Sequence, residues 1–155
     1  MNLRIFLHVL WLNSKCLIEQ IKKNNFDNVK FLLECGVNPN ENYLAEYPIF
    51  IAAKYNRYDM VLLLHKYNAK LDRGFNSELF AAVKNKNVEM AQFLIDNKAK
   101  INYKDPITEN TILYYAIKND MLDIASQLIL KGAKPDRKAI LLIKKKNLVD
   151  LVPKN

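Results

Sequence analysis

Glycine and proline are scarce in this chain, three and five among 155 residues. That leaves little material for flexible linkers or a turn-rich β fold, so helices are expected to dominate. Cysteine is nearly absent as well. Cys16 and Cys35 are too few for a disulfide framework or a zinc site. Both fall on helical patterns, where a free thiol acts as a small hydrophobe, and a reducing, cytoplasmic location is expected, in its own cell or a host's. The only histidines are His8 and His65, far apart in the chain. Gly36, Gly74 and Gly132 are scattered and form no phosphate-cradling loop. No nucleophile–base pair, carboxylate pair or ligand cluster emerges, so the reading is a non-enzyme without cofactor or metal. No apolar run is long enough to span a membrane.

The N-terminus, MNLRIFLHVLWLNSKC, superficially suggests an export signal, with Arg4 before an apolar run from Ile5 to Leu12. The run is short, is interrupted by His8 and lacks a small-x-small cleavage site. A capping helix over residues 1–14 is the expectation, with a weak export signal as the alternative.

What the chain does have is charge of one sign and a repeating pattern. Lysine and arginine number 24 against 16 acidic residues, a net charge of +8. That balance favours acidic partners, whether protein surfaces, nucleic acid or anionic membranes. The stretch FDNVKFLLECGVNPN (26–40) returns as YDMVLLLHKYNAKLD (58–72), VEMAQFLIDNKAKIN (88–102) and LDIASQLILKGAKPD (122–136), at steps of 32, 30 and 34 residues. In register, Val29 becomes Val61, Ala91 and Ala125, and Leu32 becomes Leu64, Leu94 and Leu128. Gly36 becomes Asn68, Lys98 and Gly132, at a helix end that tolerates left-handed backbone. Asp59, Glu89 and Asp123 recur where an acidic residue favours a helix start. Two short helices per unit cannot bury their apolar stripes alone, but stacked pairs can. Helix pairs are expected near 15–35, 48–67, 77–97, 111–131 and 138–152.

These residues resemble the ankyrin repeats. YPIFIAA (47–53) matches the Pro and paired Ala of the family's first-helix motif, and TILYYAI (111–117) its Thr, Leu and Ala; SELFAAV (77–83) is similar. LLECGVNPN (32–40) and LILKGAKPD (128–136) match the ending of the second helix. The family's first-helix histidine is replaced by Phe50, Phe80 and Tyr114, so apolar contact is expected to replace its hydrogen bond. The fold class implied is all-α, an ankyrin-repeat solenoid with degenerate terminal caps. The repeat domain would span 15–152, in units of about 15–40, 41–72, 73–102, 103–136 and 137–152.

The resemblance implies a module that binds other proteins through loop fingers and a concave groove. The fingers, 38–47, 70–77 and 100–110, offer Tyr43, Arg73, Phe75, Tyr103 and Lys104 as anchors. One lysine recurs after the paired-alanine position: Lys22, Lys54, Lys84, Lys118 and Lys144, with Tyr55 beside the second. At helix-packing distance the five would form a ladder roughly 35–40 Å long, facing the groove by analogy with the family. The expected partner is another protein with an acidic surface. The alternative is a polyanion, nucleic acid or anionic lipid, against the ladder. Short ankyrin-like chains of this composition also suggest a viral or intracellular-bacterial protein that engages a host factor.

Overall fold

The computed structural model describes residues 13–73, 77–148 and 151. Nearly all of the expected 1–14 cap, and Phe75, lie outside the described residues. Among those described there are nine helices, in two compact units, Met1–Asn76 and Ser77–Asn155.

The first unit contains α1 (Ser14–Lys22), α2 (Phe26–Glu34), α3 (Pro48–Lys54) and α4 (Tyr58–Lys66). α1 packs on α2 and α3 on α4 as consecutive pairs, while α1 lies against α3 and α2 against α4. First helices thus stack on first helices and second on second. The second unit repeats this with α5 (Glu78–Lys84), α6 (Val88–Asp96), α7 (Ile112–Lys118), α8 (Leu122–Leu130) and α9 (Arg137–Lys145). There α5 stacks on α7, α6 on α8, and α9 on α7. This is the stacking of helix pairs expected from the 30-odd-residue period.

Local chemistry sets the length of each helix. Asn13, Asn25, Ser77, Asn87, Thr111 and Asp136 each accept a hydrogen bond from the backbone N–H three residues on, satisfying a first-turn donor. Pro48 opens α3, where its missing N–H costs nothing. Asp27, Asp59, Glu89 and Asp123 occupy the first turns of the second helices, as their spacing predicts. Every second helix ends in a left-handed residue: Gly36 at φ 87°, Asn68 and Lys98 at 63°, Gly132 at 94°. The following N–H then turns back onto the helix, as with Ala69 N–H to Leu64 O at 2.9 Å and Ala99 N–H to Leu94 O at 3.0 Å. Lysine at the third of these sites accepts a backbone that glycine adopts freely.

The buried stripes are those set by the repeat register. Val29, Val61, Ala91 and Ala125 are wholly enclosed, as are Leu64, Leu94 and Leu128, and Leu32 nearly so. Each such leucine contributes about 1.5–3 kcal/mol over an exposed one. His65 sits half-buried on the flank of α4.

Between the pairs, loops fold back as hairpins. In the first unit Tyr43 and Glu46 exchange backbone hydrogen bonds of 3.0 Å each, across a two-residue turn of Leu44 and Ala45. In the second, Lys104 pairs with Thr111 across a longer loop. Asn40 pins its loop to the turn after α4 in the same unit, donating to Asn68 O and accepting from Lys70 N–H, both at 2.8 Å.

Candidate partner-binding site

In the first unit the hairpin carries Glu46 over the ends of the first helices. Its carboxylate lies 2.7 Å from Lys22 Nζ and 3.7 Å from Lys54 Nζ. The hydrogen bond to Glu46 raises the Lys22 ammonium above the usual lysine range. These two lysines of the expected ladder therefore face one carboxylate of their own chain. On the same hairpin, Lys15 lies 5.7 Å from the Tyr43 ring centroid, and Arg73 lies 5.4 Å from that of Tyr47. Tyr55 is exposed at the end of α3.

The second unit is built differently. Phe80 of α5, standing at the family's histidine position, meets Tyr103 of the hairpin at 5.1 Å and Tyr115 of α7 at 5.3 Å between ring centroids. Tyr114 packs edge-on against Tyr115 at 5.3 Å. Lys84 and Lys118, at the ends of α5 and α7, reach over Phe80 and Tyr115 at 5.5 and 5.9 Å. Aromatic contact thus takes the place of the histidine bond, and the two lysines lie on a ring surface rather than beside a carboxylate.

The register of the last helix differs from that expected. The turn closing α7 has Met121 N–H on Ala116 O, and the turn closing α9 has Leu148 N–H on Ile143 O. Matching the two turns sets Lys145, not Lys144, opposite Lys118; Lys144 takes the place of the buried Ile117. In that register α9 begins two residues earlier than α7, so pairing Lys138 with Ile112 reaches the ladder position one residue early. Lys146 follows as the cap, bonding Ile117 O at 3.0 Å and pairing with Asp120.

Each hairpin ends in a bare aliphatic side chain. Leu44 is 79% exposed and Ile107 is 90% exposed. Leu44 and Ala45 both hold left-handed backbone, φ 51° and 61°, which two non-glycine residues adopt only at a cost. The second hairpin is stiffened from within. Asp105 is buried and accepts from Ile107 N–H at 3.0 Å and from the Tyr115 hydroxyl at 3.3 Å. The Ile107 N–H, then the Thr108 and Tyr115 hydroxyls, hold its carboxyl below the usual aspartate range. Lys138 of α9 braces the loop through Asn110 Oδ1 at 2.7 Å and Thr108 O at 3.2 Å. Leu44, Ile107 and Glu46 are absent from the sequence-derived candidates. A lone aliphatic residue inside a polar loop, as in NYLAEY and DPITEN, is the signal that would have found the first two.

Lys104 is exposed on the second hairpin, and Tyr103 is half-buried against Phe80. Both cysteines are free thiols, Cys35 exposed and Cys16 partly so. Among the described residues, no three histidine, cysteine, aspartate or glutamate side chains gather where they could hold a metal ion. None of the helices there is long and apolar enough to cross a membrane.

Stacked helix pairs joined by hairpin fingers define a class of repeat protein, and the comparisons with known proteins say which. Residues 17–105 and 78–139 match the family model for ankyrin repeats, and the chain belongs to that family. Ankyrin repeats are general modules for protein–protein interaction, a fold without catalytic machinery of its own. Over 113 residues the chain is 32% identical to an ankyrin repeat protein of Fowlpox virus, covering 71% of this chain and 28% of that one. Over 94 residues it is 26% identical to an ankyrin repeat protein of Rickettsia bellii, covering 61% of this chain and 37% of that one. The chain therefore spans well under half the length of either relative.

Proposed function

We propose that the chain is a binding module for another protein, each unit offering its own hairpin finger and first-helix lysines to an acidic surface. The observation that carries this reading is the pair of braced fingertips. Each hairpin is fixed at its base by hydrogen bonds yet presents a bare Leu44 or Ile107 to solvent. A loop held by a rigid scaffold is where binding residues concentrate, and an exposed apolar tip there is surface a partner can cover. Net charge of +8 favours an acidic counterpart, with Lys84, Lys118 and Lys104 exposed in the second unit. Free cysteines fit work in a cytoplasm. The Fowlpox virus and Rickettsia bellii relatives fit a protein that engages a host factor.

The test is crosslinking capture from host-cell lysate by the chain and by its Leu44→Asp/Ile107→Asp variant, with captured proteins identified by mass spectrometry. A set of proteins retained by the first and lost by the second is expected; identical capture by both overturns the fingertip reading. A second reading, polyanion binding, draws on Lys84 and Lys118 lying over aromatic rings, a pairing that also suits a single-stranded nucleic acid. One fact weighs against it: the rings of Phe80 and Tyr115 are packed against each other.

A further inference from the structure

A second feature of the Ser77–Asn155 unit lies at the far ends of α6 and α8. Short turns join α5 to α6 and α7 to α8, so the ends of α5 and α7, with Lys84 and Lys118, adjoin the starts of α6 and α8. The other ends of α6 and α8 lie a full nine-residue helix away, about 13 Å. There the chain turns left-handed at Lys98 and runs through residues 99–104 into the second hairpin. A pocket of about 690 Å³ opens between this segment and the end of α8.

Its floor is aliphatic, from Ile95 and Ala99, which are only 1% and 4% exposed, and from the half-buried Ile101. Around it stand Lys98, Lys100, Lys104 and Lys131, and no acidic residue lines it. The wall at Tyr103 and Lys104 is set by backbone pairing: Ile112 N–H to Tyr103 O at 3.3 Å and Asp105 N–H to Asn110 O at 3.0 Å.

We propose that this pocket takes a short acidic peptide segment of a partner protein, one aliphatic side chain on the floor and flanking carboxylates on Lys98 and Lys131. The volume lies within the ordinary range for a ligand pocket, roughly 300–1,000 Å³. A bare phosphate would leave the aliphatic floor uncovered. A nucleotide base would need a free aromatic face, and the Tyr103 ring already meets Phe80. A lipid surface is too flat to enter a concavity. A second copy of this chain would bring more positive charge, at +8 each. The pocket shares Lys104 with the proposed function, but neither Leu44 nor Ile107 lines it, so the two can be tested apart.

The test is fluorescence anisotropy at physiological salt, where exposed charges more than about 8 Å apart are largely screened, using the full chain and a fluorescein-labelled peptide of Asp and Glu around one central Leu. Binding is expected to weaken about tenfold in Lys98→Glu/Lys131→Glu and severalfold in Ile101→Ser. It should stay within about twofold in Lys84→Glu/Lys118→Glu and in Leu44→Asp/Ile107→Asp. Far-UV circular dichroism and melting temperature check that each variant is folded. Equal losses in the two lysine pairs would reduce the site to diffuse charge and overturn the proposal. So would equal affinity for a peptide with Ser in place of Leu, displacement by millimolar inorganic phosphate, tighter binding to phosphatidylserine vesicles, or peptide-sensitive dimerisation in sedimentation.

Discussion

The turn at Leu44 and Ala45 is the place where the backbone works hardest for an exposed feature. Both residues hold positive φ, and both side chains lie in solvent. Each non-glycine residue in this conformation costs about 1–2 kcal/mol, so the turn carries roughly 2–4 kcal/mol of unfavourable backbone energy. Replacing the pair by Asn-Gly, the preferred sequence for such a turn, removes most of it. The glycine returns roughly 0.5–1 kcal/mol through the greater freedom of the unfolded chain. Leu44 is 79% exposed, so little buried area is lost with it. The net expectation is a hairpin more stable by about 1–2 kcal/mol. Hydrogen exchange reads this directly at the Tyr43 and Glu46 amides, whose bonds close the hairpin. Exchange there should slow about tenfold, since 1.4 kcal/mol corresponds to a factor of ten. An unchanged or faster rate would refute the reasoning, because Leu44 would then be contributing contacts that outweigh the backbone cost. If the tip is an anchor, the same variant should lose capture of the partner while gaining stability.

Three further outcomes follow from the geometry. Leu94→Ala should cost about 2–5 kcal/mol in a urea melt, because that leucine is fully enclosed in α6; a cost below about 1 kcal/mol would place it outside the core. Asp105 has a lowered pKa in the fold, so its contribution is present above the unfolded value near 3.8 and is lost as pH falls through the folded value. Stability of the chain should therefore fall more steeply below about pH 4 than that of Asp105→Asn, as measured by melts across pH 2–6. Titration of duplex DNA at varied salt should give no slope approaching −4.5, the value for five phosphate-neutralising lysines. Such a slope with micromolar or tighter affinity would favour the polyanion reading.

The fold was legible because each unit repeats the same local decisions. Val29 and Leu32 predict the burial of their equivalents, and Gly36 and Gly132 mark a left-handed stop that Asn68 shares. Asp59, Glu89 and Asp123 sit where a helix start needs them. The candidate site was less legible, for two physical reasons. Pairing of Lys22 and Lys54 with Glu46 depends on the hairpin folding back across α1 and α3, a tertiary event that no spacing encodes. Lys144 was set in the ladder one residue early, because α9 runs nine residues where α7 runs seven; Asn147, at φ 56°, stands where Asp120, at φ 59°, follows α7. The aromatic character of Phe80 and Tyr114 was visible, but Tyr115 as their meeting point was not.

Glu46 also sets a threshold on what the first unit can bind. Tethered to the surface it covers, it competes with any incoming anion at an effective concentration in the millimolar range. A single free carboxylate or a buffer ion at lower concentration cannot displace it. A partner that brings several acidic groups competes better. If an acidic partner binds as proposed, the carboxylate would make the surface selective by exclusion, favouring a ligand that engages the finger as well as the charge.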